Sequence, residues 1–152
     1  MAQIEAHAAR EYPHECCGVL LVRERPNPGR LLVPCRNQQD EYHARDPKEF
    51  PRNARTAYRI HQEDNLAIHL LCSREGYDLA TIYHSHVDVD AYFSATDKRD
   101  ALMDPDSENP LPSYPGVAYI VVSVKNRQVA GAAAFRWDDD RRDFLPTELR
   151  IL

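Results

Sequence analysis

The chain has 152 residues, 43% of them hydrophobic and 28% charged, which is enough for one compact domain with a single core and too little for two ordinary ones. Its 19 Lys and Arg stand against 24 Asp and Glu, a formal net charge of -5, so bulk attraction to phosphate is missing and a nucleic-acid partner is disfavoured. Apolar stretches such as 117–122 fall far short of the roughly 20 residues needed to cross a bilayer, so no membrane span is expected.

Ile4, His7, Ala8 and Tyr12 recur at near-helical spacing, which predicts a short helix over 3–12 that Pro13 closes. The β-prone runs 17–22 and 31–35 flank the turn formers of 25–29 and predict a hairpin. From Arg36 to Thr56 the chain is polar, with Pro47 and Pro51, and reads as a long connection holding at most a helical turn. Tyr58 to Ile60 is a short strand candidate. A helix follows, with Asp64 as its N-cap, Leu66, Ala67, Leu70 and Leu71 on its apolar face and Gly76 at its end.

Residues 78–84 are again extended and deliver His84-Ser85-His86 at their polar end. Ser94 and Asp97 carry a variant capping pattern for a helix running to about Met103. Four prolines make 104–116 a loop, residues 117–124 and 127–137 form a hairpin around Lys125-Asn126, and 144–152 add a last strand that Pro146 marks as an edge or a bulge. This order of elements predicts an α/β fold with a mixed sheet and a single domain over 1–152. The start of the chain has no basic segment followed by an apolar run, and Cys16, Cys17, Cys35 and Cys72 need not pair at this size. Reduced thiols and a cytoplasmic location are the expectation.

The chemistry concentrates at one place. His84 and His86 lie two apart on an extended segment, so their imidazoles project to one face and can converge on one ion. The plain alternative is a pair of polar residues at a solvent-facing strand end. Asp97, eleven residues on, stands in the first turn of the predicted helix, where a carboxylate can turn back as a third ligand or simply favour the helix N-terminus. Two imidazoles and one carboxylate leave Zn2+ a fourth position for water. Ser94 is an N-cap or a hydroxyl donor beside the metal, and Glu15, between Pro13 and the first strand, is the candidate base for that water. His7, His43 and His69 have ordinary structural explanations, and His14 and His61 are more readily supporting than catalytic.

His84-Ser85-His86, seven residues, then Ser94-Ala95-Thr96-Asp97, with Pro13-His14-Glu15-Cys16-Cys17-Gly18 upstream, resembles the JAMM (MPN+) metalloprotease family, in particular its small stand-alone prokaryotic members. The resemblance implies a cytidine-deaminase-like three-layer fold, a mixed β-sheet flanked by helices. It further implies zinc on His84, His86 and Asp97, Glu15 as general base and acid, Ser94 as an oxyanion donor and Ser85 as a support for the histidine pair. The implied activity is hydrolysis of a peptide or isopeptide bond at the C-terminal tail of a ubiquitin-like or sulfur-carrier protein. Apart from the resemblance, a homodimer is common for an enzyme of this size, although no heptad or exposed apolar patch argues for one.

Many relatives have proline after the second histidine, whereas this chain has Val87 with Asp88 and Asp90 beyond it. Those acids are either solvated surface or replacement ligands. Two other classes compete. A non-catalytic MPN scaffold would show a broken motif, and a deaminase would show H-A-E or C-A-E with P-C-x-x-C; neither signature is present. Selectivity is expected from loops 36–57 and 104–116.

Overall fold

The computed structural model describes residues 1–149. Along them run α1 (Ala2–Glu11), β1 (Cys17–Arg23), β2 (Gly29–Cys35), α2 (Gln39–Arg45), α3 (Gln62–Glu75), β3 (Asp78–Val87), α4 (Ala95–Asp100), β4 (Ala118–Lys125), β5 (Gln128–Asp138) and β6 (Asp143–Thr147). The strands form one six-stranded sheet in the order β2-β1-β3-β4-β5-β6. Only β3 and β4 pair in parallel. A parallel pair needs a crossover, and residues 88–117 supply it with α4 inside. The mixed α/β architecture expected from the sequence is thus the one found.

Alternation along the central strands sorts their side chains onto two faces. One face carries Cys17, Val19, Leu21, Ile82, Tyr119 and Val121, packed with Ile68 of α3 and with Phe93, Phe135 and Phe144. The other carries Cys16, Tyr83, Val122 and Val124 beneath Ile4 and Ala8 of α1. Gly18 stands opposite Tyr83 in the β1–β3 register, and the phenol ring occupies the space that a Cβ would need. A side chain at position 18 would displace that ring.

Several sequence expectations are corrected. Tyr58 to Ile60 is not a strand, since only Ile60 makes a single bridge, to Asn37. The connection 36–56 holds the full helix α2, whose residues are polar and whose buried member is Gln39. His61, not Asp64, caps α3 by accepting from the Glu63 amide, while Asp64 holds Arg36. Leu66 and Leu70 are exposed, and Ile68, Leu71 and Cys72 face the core instead. Helix α4 ends at Asp100 rather than near Met103. The last strand covers 143–147, and the expected residues 150–152 lie outside those described.

Candidate metal centre

The site grows out of the end of β3. Ile82, His84 and His86 share one face of the strand, so both imidazoles rise on the same side of the sheet. Cys17 pairs with His84, and carrying that antiparallel register two residues outward sets Glu15 beside His86. The Glu15 amide leaves the sheet and donates to the Ala54 carbonyl at 2.7 Å, which joins this junction to the 46–60 segment.

Asp97 comes from α4 through a complete capping box. Its amide donates to Ser94 Oγ at 3.1 Å, and its Oδ2 accepts from the Ser94 amide at 2.7 Å. The carboxylate that completes the capping box also faces both histidines, so the structural and chemical roles considered for Asp97 are compatible. His84 Nε2 lies 3.4 Å from Oδ1, His86 Nε2 lies 3.4 Å from Oδ2, and the two Nε2 atoms are 3.2 Å apart. A tetrahedral ion with ligands at about 2.0–2.1 Å has ligand–ligand edges of roughly 3.3 Å. The donor set therefore fits such an ion in both chemistry and size. His84, His86 and Asp97 are the group among the described residues that could hold a metal.

Electrostatics act on all three candidate donors. Burial lowers the His84 pKa against the pull of Asp97, so this imidazole is neutral and can offer a lone pair. His86 Nδ1 faces the Asp90 carbonyl at 3.1 Å, and a carbonyl only accepts, so the ring proton sits on Nδ1 and the Nε2 lone pair faces the cluster. Burial by itself raises the Asp97 carboxyl, but contacts from His84, His86 and Ser94 outweigh it and hold the group well below the usual carboxylate range. Tyr58 stacks on His84, with ring centroids 4.5 Å apart, and fixes its plane.

Glu15, His86, Ser94 and Asp97 line a cleft of about 390 Å³ together with Arg52, Arg55, Thr56 and Tyr92. His84, fully buried, lies beneath it. Burial first, and the charge of Asp97 second, raise the Glu15 carboxyl to about 9, with Arg52 acting in the opposite direction. A larger groove of about 540 Å³ on the opposite face, over Leu20, Ile120 and Ala134, is lined by no histidine or cysteine and by a single carboxylate, Glu148, so it gathers no comparable donor set.

Ser85 is fully buried on the other face of β3, where its Oγ accepts from the Cys16 amide at 2.8 Å. It ties β3 to the residue after Glu15 and stays away from the cleft. Asp88 and Asp90 do not join this cluster. Asp88, at φ 60°, accepts from Tyr12, Arg55 and the Asn126 amide, while Asp90 pairs with Lys125 and lends its carbonyl to His86. The segment 46–60 reaches the cleft through Arg52, Arg55 and Thr56, whereas the 104–116 loop does not line it.

Sequence reasoning missed Arg52, Arg55, Tyr58, Thr56 and Tyr92. The two arginines and Thr56 are marked only by lying in a long polar connection, the kind of segment that carries function.

The family described as prokaryotic homologs of the JAB domain matches residues 1–138. Proteins named CysO-cysteine peptidase from Mycobacterium bovis and Mycobacterium tuberculosis are 28% identical over 121 residues, 80% of this chain and 66% of theirs. The matched segment thus spans slightly under two thirds of those relatives. A solution structure from Desulfitobacterium hafniense aligns with TM-score 0.64 at 20% identity, covering 97% of this chain and 85% of its own. Another, from Salinibacter ruber, gives 0.59 at 26% identity over 97% and 84%.

Proposed function

The chain belongs to the prokaryotic homologues of the JAB domain, and from that premise we propose that it is a zinc-dependent peptidase or isopeptidase. Its substrate in this reading is the amide bond at the C-terminal tail of a ubiquitin-like or sulfur-carrier protein. The observation that carries the reading is the convergence of His84 Nε2, His86 Nε2 and the Asp97 carboxylate at 3.2–3.4 Å beside the cleft that Glu15 lines. The name of the mycobacterial relatives, CysO-cysteine peptidase, supports the choice of a carrier-protein tail.

Zinc held by these three residues would supply a Lewis acid for the scissile carbonyl, a lowered pKa for a nearby water, and a positive charge that offsets the effect of Asp97 on Glu15. The protein does the rest. A carboxylate oxygen of Glu15 takes the proton of the attacking water and delivers it to the departing nitrogen, a task suited to a group whose environment pushes its pKa upward and whose neighbour Arg52 favours the ionised form. Water oxygen adds to the carbonyl carbon, the C–N bond breaks, and no covalent enzyme intermediate is needed. Ser94 Oγ accepts from the Asp97 amide, so its own hydroxyl proton is available to the developing charge on the carbonyl oxygen. Fully buried His84, stacked on Tyr58, forms the floor below the reacting atoms.

The test is Glu15→Gln, assayed on a diglycine-tailed carrier-protein conjugate. Bound zinc is expected to be retained while cleavage falls by about 10²–10⁴-fold, the usual contribution of a positioned acid–base group. Unchanged turnover overturns the assignment of Glu15, and cleavage that persists after removal of zinc by a chelator overturns the metal-dependent reading as a whole.

A further inference from the structure

Two guanidinium groups border the cleft, and they are held differently. Arg55 is committed, with Nη2 2.9 Å from Asp88 Oδ2. That carboxylate also accepts from the Tyr12 hydroxyl at 3.2 Å and from the Asn126 amide at 3.3 Å, so the arginine is locked into a junction of three elements. Arg52 is not committed. Among the described residues its guanidinium makes one hydrogen bond, from Nη1 to the Thr56 carbonyl at 3.3 Å, and no ion pair.

The backbone beneath Arg52 is nevertheless fixed. Gln39 Nε2 donates to the Arg52 carbonyl at 2.8 Å, the Ala54 amide donates to Asp40 Oδ1 at 2.7 Å, and the Glu15 amide donates to the Ala54 carbonyl at 2.7 Å. Gln39 and Ala54 are themselves buried. A guanidinium with most of its donors free therefore stands on a rigid support that is bonded directly to Glu15. Preorganisation of this kind costs little further ordering when a ligand arrives.

The chemistry that such a group recognises is a planar oxyanion, best a carboxylate, which its fork can meet with two parallel hydrogen bonds. The possible leaving groups differ in just this respect. When the scissile nitrogen belongs to the last residue of a chain, an α-carboxylate lies one carbon away from it. When it belongs to an internal residue, that place holds a neutral amide. When it is the Nζ of a lysine, four methylenes separate it from the backbone, and nothing anionic is nearby.

We propose that Arg52 receives the free α-carboxylate of a single departing amino acid, so that the site trims the terminal residue from a tail in preference to opening an internal peptide bond or a lysine isopeptide bond. This rests on the hydrolase reading above and selects within it. Water oxygen adds to the penultimate carbonyl, the C–N bond breaks, and the proton from Glu15 completes the amine of the free amino acid while its carboxylate stays on Arg52. The other product is the shortened tail with a new carboxylate.

The test compares one short peptide ending in Gly-Gly-Ala as its free acid and as its C-terminal amide. Binding is measured by calorimetry on chelator-treated protein, which removes any competition from a metal for the carboxylate. Wild type is expected to bind the acid roughly tenfold or more tightly than the amide, as a charge-assisted bidentate contact gives. Arg52→Gln should abolish the preference, and Arg52→Lys should restore part of it.

Equal binding of acid and amide by the wild type, or a preference that survives Arg52→Gln, overturns the proposal. Zinc-loaded protein is assayed for hydrolysis of the same two peptides in parallel. If neither is cut, the hydrolase reading fails, and the calorimetry still decides what Arg52 recognises.

Discussion

Tyr83 and His84 are consecutive residues of β3, both fully buried, and they head two polar clusters of opposite character. On the Tyr83 face the donors and acceptors are matched: the phenol oxygen meets His7 Nδ1 at 2.9 Å, and Ser85 Oγ takes the Cys16 amide at 2.8 Å. On the His84 face, two imidazole nitrogens and a carboxylate point at one another. His7 is satisfied by a single hydroxyl, whereas buried histidines that aim lone pairs at a common point, as His86 does while its Nδ1 holds the Asp90 carbonyl, can receive a cation. His7 and His86 are nearly equally buried, so it is the direction of the lone pairs that separates their roles.

Perturbing the closed face should cost stability and leave metal binding alone. The largest effect is expected from Gly18→Ala, because a Cβ there collides with the Tyr83 ring in a packed layer; a loss of about 3 kcal/mol in urea unfolding is expected. Ser85→Ala strands the buried Cys16 amide and should cost about 2 kcal/mol, with zinc stoichiometry unchanged. Loss of zinc in that variant would mean that the two faces are coupled. Tyr83→Phe removes the partner of His7 and should cost about 1 kcal/mol by the same measurement.

The smallest effect is a pH dependence. Burial lowers the His7 pKa below its ordinary 6.5, with Glu11 pulling it up and Arg10 adding to the depression. The unfolded chain then takes up the proton first, so this contribution to stability is complete above about pH 6.5 and is lost as pH falls through the folded value. The unfolding midpoints of wild type and His7→Gln should lie closer together at pH 5.5 than at pH 7.5, and an unchanged gap would contradict a neutral buried His7.

The convergence of His84, His86 and Asp97 was legible in the sequence because each of the three rests on local geometry. Two residues apart on a strand share a face, and a Ser-x-x-Asp cap directs its carboxylate to the helix entrance. Glu15 was reached through its motif, and the strand register explains it: the pairing of Cys17 with His84 could not be read before the sheet was known.

What escaped depends on contacts between distant segments. Helix α3 offers two apolar stripes, and nothing local told that Ile68, Leu71 and Cys72 would pack while Leu66 and Leu70 stayed in water. Helix α2 has no sustained apolar stripe, being fastened by Gln39 and Asp40 to the 52–54 segment and by the Tyr42 ring against Phe50. Those same bonds place Arg52 at the cleft. Tyr58 was taken for a strand residue because its β propensity was real, but its ring is held by stacking on His84 and its backbone has no ladder to join.

The most direct measurement is zinc per chain, by elemental analysis after reconstitution and removal of free metal, for wild type, the His84→Ala, His86→Ala double variant and His7→Ala. The account predicts close to one zinc per chain in wild type and in His7→Ala, and almost none in the double variant. Wild type without zinc, or a double variant that binds as much as wild type, would contradict it.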